Sequence, residues 1–73
     1  MEYRTDKQFE EIIYSAINGQ WTQAMKQAEE YGFYASDLIK KQEAYKSEGL
    51  HTIEDIELCI ISEGAEKIRH KKS

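Results

Sequence analysis

The chain of 73 residues predicts an all-α fold, a compact bundle of four short helices, on three observations. Proline is absent, apolar residues recur at spacings of three and four without sustained alternation, and glycines stand singly where those periodic stretches stop. Glu, Lys, Ala, Ile and Gln, all tolerant of helix, are abundant. The expected helices cover about residues 6–18, 21–31, 36–47 and 52–69.

Each element follows from local signals. Thr5-x-x-Gln8 reads as a capping box, in which the two side chains satisfy backbone N–H groups that a helix start leaves free. Phe9, Ile12, Ile13, Ala16 and Ile17 then form one apolar stripe, closed by Asn18-Gly19. The second helix carries Trp21, Ala24, Met25, Ala28 and Tyr31 on one face and stops at Gly32. Ser36 is the expected N-cap of the third, with Asp37 near the positive end of the helix dipole and Leu38, Ile39 and Tyr45 as its apolar residues before Gly49.

Thr52 with Asp55 three residues on is the expected cap of the last helix. Its Ile53, Ile56, Leu58, Cys59, Ile60, Ile61, Ala65 and Ile68 are spread around nearly the whole circumference. A helix of that kind is either the centre of the bundle or half of a dimer interface. Gly64 inside it predicts a close helix crossing, at a propensity cost of about 1 kcal/mol relative to Ala.

Size and charge narrow the function. A chain this short forms one domain, residues 1–73, and buries only roughly 60% of its unfolded surface, which leaves little for a walled substrate cleft. Binding is expected rather than catalysis. A lone Cys59 cannot form an internal disulfide and no apolar leader follows a basic start, so a reducing, cytoplasmic setting is expected. Nothing approaches the roughly 20 apolar residues of a membrane span, and Lys71-Lys72-Ser73 is no lipidation box, so no membrane partner is expected. The formal charge is −4, and it is uneven: residues 1–66 hold all fourteen acids against six bases, whereas Lys67, Arg69, Lys71 and Lys72 with His70 follow. Residues 69–73 are read as a short basic tail that frays, its cations complementing the dipole of the last helix.

Catalytic and metal chemistries find little support. Cys59 with His51 or His70 is the sole nucleophile–base combination, and Cys59 among isoleucines is expected to be an inert core residue. Ser15, Ser36, Ser47 and Ser62 fall on helical faces or ends, not in a strand-to-helix elbow. His51, Asp55 and Cys59 are spaced by four, as metal ligands along a helical edge are, but a fourth ligand is missing. Glu10-Glu11, Glu29-Glu30 and Glu54-Asp55 are adjacent, hence splayed around a helix and solvated. No glycine-rich loop precedes a helix, and neither cofactor nor metal is expected.

Two helix-pair patterns stand out. Gly19-Gln20-Trp21-Thr22-Gln23-Ala24 resembles the turn of a tetratricopeptide-type hairpin, which implies two closely packed antiparallel helices. One unit cannot stack into a solenoid. Ala28-Glu29-Glu30-Tyr31-Gly32-Phe33-Tyr34-Ala35-Ser36-Asp37-Leu38 is similar to the helix-turn-helix pattern of DNA-binding proteins. That resemblance implies a recognition helix over 36–47 with Ser36, Lys40, Lys41 and Gln42 toward the nucleic acid. Lys41 stands where the family is usually apolar, and an acidic body must concentrate its few bases on one face to hold phosphates.

Surface residues supply the main functional expectation. Tyr3, Phe9, Tyr14, Trp21, Tyr31, Phe33, Tyr34 and Tyr45 are more aromatics than one small core needs. Tyr31 and Tyr34 crowd one turn beside Glu29, Glu30 and Asp37, and aromatic anchors rimmed by charge are favoured at protein interfaces. The expected function is a small non-enzymatic interaction module, in style a bacterial or phage accessory regulator or inhibitor. Its expected partner is another protein with a basic surface, such as a nucleic-acid-processing enzyme, or a second copy bound through the last helix. DNA binding through the third helix is the alternative.

Overall fold

The computed structural model describes residues 4–72, which form four helices: α1 (Asp6–Ile17), α2 (Trp21–Glu30), α3 (Ala35–Ser47) and α4 (Asp55–Lys72). No strand occurs among the described residues. The all-α bundle read from periodicity is therefore the fold. Tyr3 and Ser73 lie outside the described residues.

The helix ends show why the elements sit where they do. At the start of α1 the Thr5 hydroxyl accepts from the Gln8 N–H at 3.2 Å and Gln8 Oε1 accepts from the Thr5 N–H at 3.0 Å, the expected capping box. α1, α2 and α3 all end in the same double bond pattern. After α1, Gln20 N–H reaches Ser15 O at 2.8 Å and Gly19 N–H reaches Ala16 O at 3.0 Å; Phe33 and Gly32 repeat it on Ala28 and Glu29, as do Leu50 and Gly49 on Tyr45 and Lys46. This closure needs a left-handed residue, and Gly19 supplies it at φ 75°.

Two expected caps shift. α3 begins two residues earlier than a Ser36 cap implies, with Tyr34 as its N-cap: the backbone N–H of Tyr34 donates to Asp37 Oδ2 at 3.0 Å, which leaves Ser36 exposed inside the first turn. α4 begins at Asp55, three residues after Thr52, because the Glu54 N–H finds the Glu57 carboxylate at 3.1 Å. At its other end α4 continues to Lys72, so the segment read as fraying from residue 69 is helical that far.

Packing is built around α2, which lies against α1 on one side and α4 on the other; α3 packs on α4 and more lightly on α1. α2 meets its neighbours through Ala24 and Ala28, both fully buried, and the Ser15 hydroxyl of α1 donates to Gln27 Oε1 at 2.8 Å. Phe9 fills the space between α1, the α2–α3 turn and α3, its ring 6.3 Å from Phe33 and edge-on to Tyr45 at 5.0 Å. A T-shaped pair sets the positive ring edge on the negative face.

Several residues expected in the core face outward. Ile17 and Ile39 are exposed, whereas the polar Ser15 and Gln42 on the same two helices are buried. α4 is not the centre of the bundle: it buries Leu58, Ile61 and Ala65 on one face and leaves Ile56, Cys59 and Ile60 in solvent. Cys59 is therefore not an inert core residue. The reason is geometric, since α4 packs on α2 and α3 and the face turned away from them has no helix to cover it.

Gly64 does mark a close crossing. A Cβ built there would overlap Met25 of α2, falling on Sδ and within 2.5 Å of Cγ. Gly64→Ala therefore sets about 1 kcal/mol of gained helix propensity against an overpacking cost of about 1–3 kcal/mol. Because Met25 is a flexible, half-buried side chain that can turn aside, the variant is expected to gain little or nothing against denaturant, and the same change is expected to stabilise once Met25→Ala removes the overlap. Chemical denaturation of the four proteins as a double-mutant cycle measures this coupling; stabilisation in both backgrounds refutes the close approach.

Candidate functional site

The residues singled out as partner-binding do come together at the α2–α3 turn, but most are tied into the fold. The Tyr31 hydroxyl donates to Glu11 Oε2 at 2.9 Å, and that bond, with burial and the charges of Glu11 and Glu30, raises its phenol above the ordinary tyrosine value. Asp37 holds the Tyr34 N–H and lies 3.6 Å from the Arg4 guanidinium. The Tyr34 ring carries the Arg69 guanidinium 4.2 Å above its centroid. Glu29 is half-buried; Glu30 is exposed.

Arg69, read as part of a frayed tail, is the bolt of this turn. Its Nη2 donates to the Phe33 carbonyl and lies 3.4 Å from the Ala28 carbonyl, while Nη1 lies 3.7 Å from Glu66. The cation thus caps α2 from a different helix, where the end of the helix dipole is negative. No sequence spacing announces a contact across some forty positions.

The helix-turn-helix surface is only partly assembled. Ser36 and Lys40 are exposed, but Lys41 is paired with Asp6 and Gln42 is only 2% exposed, its Nε2 donating to Asp55 Oδ1 at 2.8 Å. Gln42 therefore does not read a base from this position. α2 and α3 each pack on α1 and α4 rather than on one another. The His51, Asp55 and Cys59 spacing also fails as a metal edge, since His51 precedes α4 and the Asp55 carboxylate takes Lys46 at 2.8 Å as well as Gln42. Among the described residues no group of three or more His, Cys, Asp or Glu is placed to hold a metal, and no helix is long and apolar enough to cross a membrane.

The surface that sequence reasoning missed lies beside the core stripe of α1. Glu10, Tyr14 and Ile17 form a second stripe along that helix, and with Ile13, Tyr45, Leu50 and His51 they line an open groove of about 450 Å³. Tyr14 is 70%, Ile17 57% and Leu50 49% exposed. Leu50 reaches this place through the closure of α3, whose bond from Leu50 N–H to Tyr45 O at 2.9 Å sets the residue after Gly49 beside the helix it has just left. Past Ile17 the surface continues to Ile53, Glu54 and Glu57. The available signal was modest: Tyr14 and Ile17 stand three apart, and an apolar residue follows Gly49.

Tyr45 forms the wall where groove and core meet. Its hydroxyl lies 3.3 Å from Glu10 Oε1 and 3.4 Å from the Asp6 carbonyl. Burial, followed by the negative charges of Glu10, Asp6 and Glu48, pushes the phenol up to about 12. The folded state favours the neutral phenol, so this stabilisation is complete below the ordinary tyrosine value of 10.0 and is lost as pH rises through about 12.

Two outcomes follow for these contacts. Thermal midpoints are expected to fall between pH 10 and 12, with a shallower fall in Tyr45→Phe; identical profiles refute the assignment. Arg69→Ala is expected to cost about 1–3 kcal/mol in urea unfolding. Arg69→Lys recovers only part of it, because an ammonium that reaches the two carbonyls has no second nitrogen to lie by Glu66 and no plane to stack on Tyr34. Comparison with protein-family models, with curated proteins and with solved structures finds no match, so the functional reading rests on this chain's own geometry.

Proposed function

We propose that the chain is a non-enzymatic protein-binding module that docks a segment of its partner in the groove between α1 and the residues after α3. The observation that carries this reading is the clustering of Tyr14, Ile17 and Leu50 at one groove, each about half exposed or more. Single apolar side chains on a surface are ordinary, whereas adjoining ones rimmed by charge are what docking sites use. The walls are anchored by Ile13 and Tyr45, both buried, so little ordering remains for binding to bring about.

The acidic and aromatic character of the surface favours a partner with a basic face. The role proposed is that of an accessory regulator or inhibitor, bacterial or phage in style, acting on a larger protein such as a nucleic-acid-processing enzyme. Ile56 and Ile60 are exposed on α4 and Ile39 on α3, and a second copy of the chain would have to pack on these residues. Three isoleucines fall well short of the roughly 800 Å² per partner of a stable interface, which favours the α1 groove as the main site.

The test compares affinity-tagged protein with Ile17→Asp, Leu50→Asp and Ile56→Asp, all exposed positions, after circular dichroism shows each folded. A partner retained by the parent and by Ile56→Asp, and lost at least tenfold by Ile17→Asp and Leu50→Asp, supports the reading. Retention that ignores all three substitutions, or that appears only on duplex DNA at low salt, overturns it.

A further inference from the structure

We infer that the segment this groove receives is an amphipathic α-helix whose apolar anchors are bracketed at both ends by Lys or Arg, an inference that rests on the docking reading above. Helix is favoured over extended chain by what the fold offers. Among the described residues there is no strand edge for a peptide to extend, whereas Glu10, Tyr14 and Ile17 follow one another along α1 at helical spacing. From Glu10 to Ile17 the rise is about 10 Å, two turns of helix. The other bank, Leu50 and His51, runs beside it. Two turns of a partner helix present apolar residues at i, i+3 or i+4, and i+7, which matches an apolar seat of that length.

The brackets are read from where the carboxylates sit. At the Tyr45 end are Glu10, which accepts from the phenol, and Glu48, whose charge that phenol also feels. Past Ile17 at the other end are Glu54 and Glu57. None of these four is in a salt bridge with Lys or Arg among the described residues. Three neighbouring cations are committed: Lys41 to Asp6, Arg4 to Asp37, and Lys46, which lines the surface with Ile17, Glu54 and Glu57, to Asp55. Lys40 is exposed near Glu48, and His51 lies within the groove. The seat is therefore apolar in the middle and acidic at its two ends. A cation over each end gains charge-assisted contact without being fully desolvated, and a carboxylate there is repelled.

Three Ala-based helical peptides of roughly 15 residues test this, each with Leu at i, i+3 and i+7 and with Lys, Gln or Glu on both flanks. They are titrated into the isotope-labelled 73-residue chain, with amide shifts as the readout. The Lys peptide is expected to shift Tyr14, Ile17 and Leu50 and to bind about tenfold tighter than the Glu peptide at low salt, with the gap closing as salt is raised. In Glu48→Lys/Glu54→Lys, both exposed sites, each end keeps one carboxylate beside one new cation, and the gap between the Lys and Glu peptides is expected to close even at low salt. Equal affinity of all three peptides at the parent groove overturns the charged brackets and leaves the docking reading standing. Shifts from the Lys peptide that spread over the acidic surface and spare Tyr14, Ile17 and Leu50 overturn the bracketed seat. If no peptide moves those residues, the docking reading itself falls. Concentration-dependent shifts there without peptide assign the groove to a second copy of the chain and overturn the inference.

Discussion

The structure depends on how closely α2 can approach its neighbours. That helix brings no large aliphatic side chain to the fully buried core; Ala24 and Ala28 are its buried residues, Ala16 of α1 and Ala65 of α4 are buried as well, and Gly64 of α4 lies against its Met25. Small side chains allow short interaxial distances, and short distances let dispersion and excluded water act along the whole length of ten residues. Met25 lying over Gly64 is the tightest point of that seam. With α2 so placed, the ends of α1 and α4 are set, and Arg69 arrives at the carbonyls of Phe33, in the turn after α2, and of Ala28.

A seam of alanines leaves volume to be filled elsewhere, and Phe9 with Phe33 and Tyr45 fills it. This aromatic cluster turns α3 away from α2 and toward α1 and α4. One result is the groove: α3 ends near the outer stripe of α1, and its glycine closure returns Leu50 alongside. The exposed apolar surface thus arises from the same packing that makes the core. Tyr45 belongs to both, buried against Phe9 yet lining the groove under the influence of three carboxylates.

Much of the helical order is legible in the order of the amino acids. The Thr5–Gln8 box, the glycine stops and the alanine faces of α2 are local signals, governed by hydrogen bonds and sterics within a few residues. The site was far less legible. Tyr31 and Tyr34 look like free anchors in one dimension, but Glu11 and Arg69, distant along the chain, occupy them. Ile17, with the right spacing for the core, lies just past the edge of the buried stripe. The last helix misled most: its composition is apolar all round, yet only neighbours bury a face, and α4 has them on one side.

By itself, then, the amino-acid order determined that four helices form, where three of them stop and that one crossing must be tight, because capping, left-handed closure and a missing Cβ act locally. Tertiary structure alone decided which aromatic and aliphatic residues remain in solvent, which carboxylates are left without a cation, and that Arg69 caps a helix other than its own. Those outcomes depend on which surfaces meet at long range, a property of the three-dimensional arrangement that periodicity along one helix does not encode.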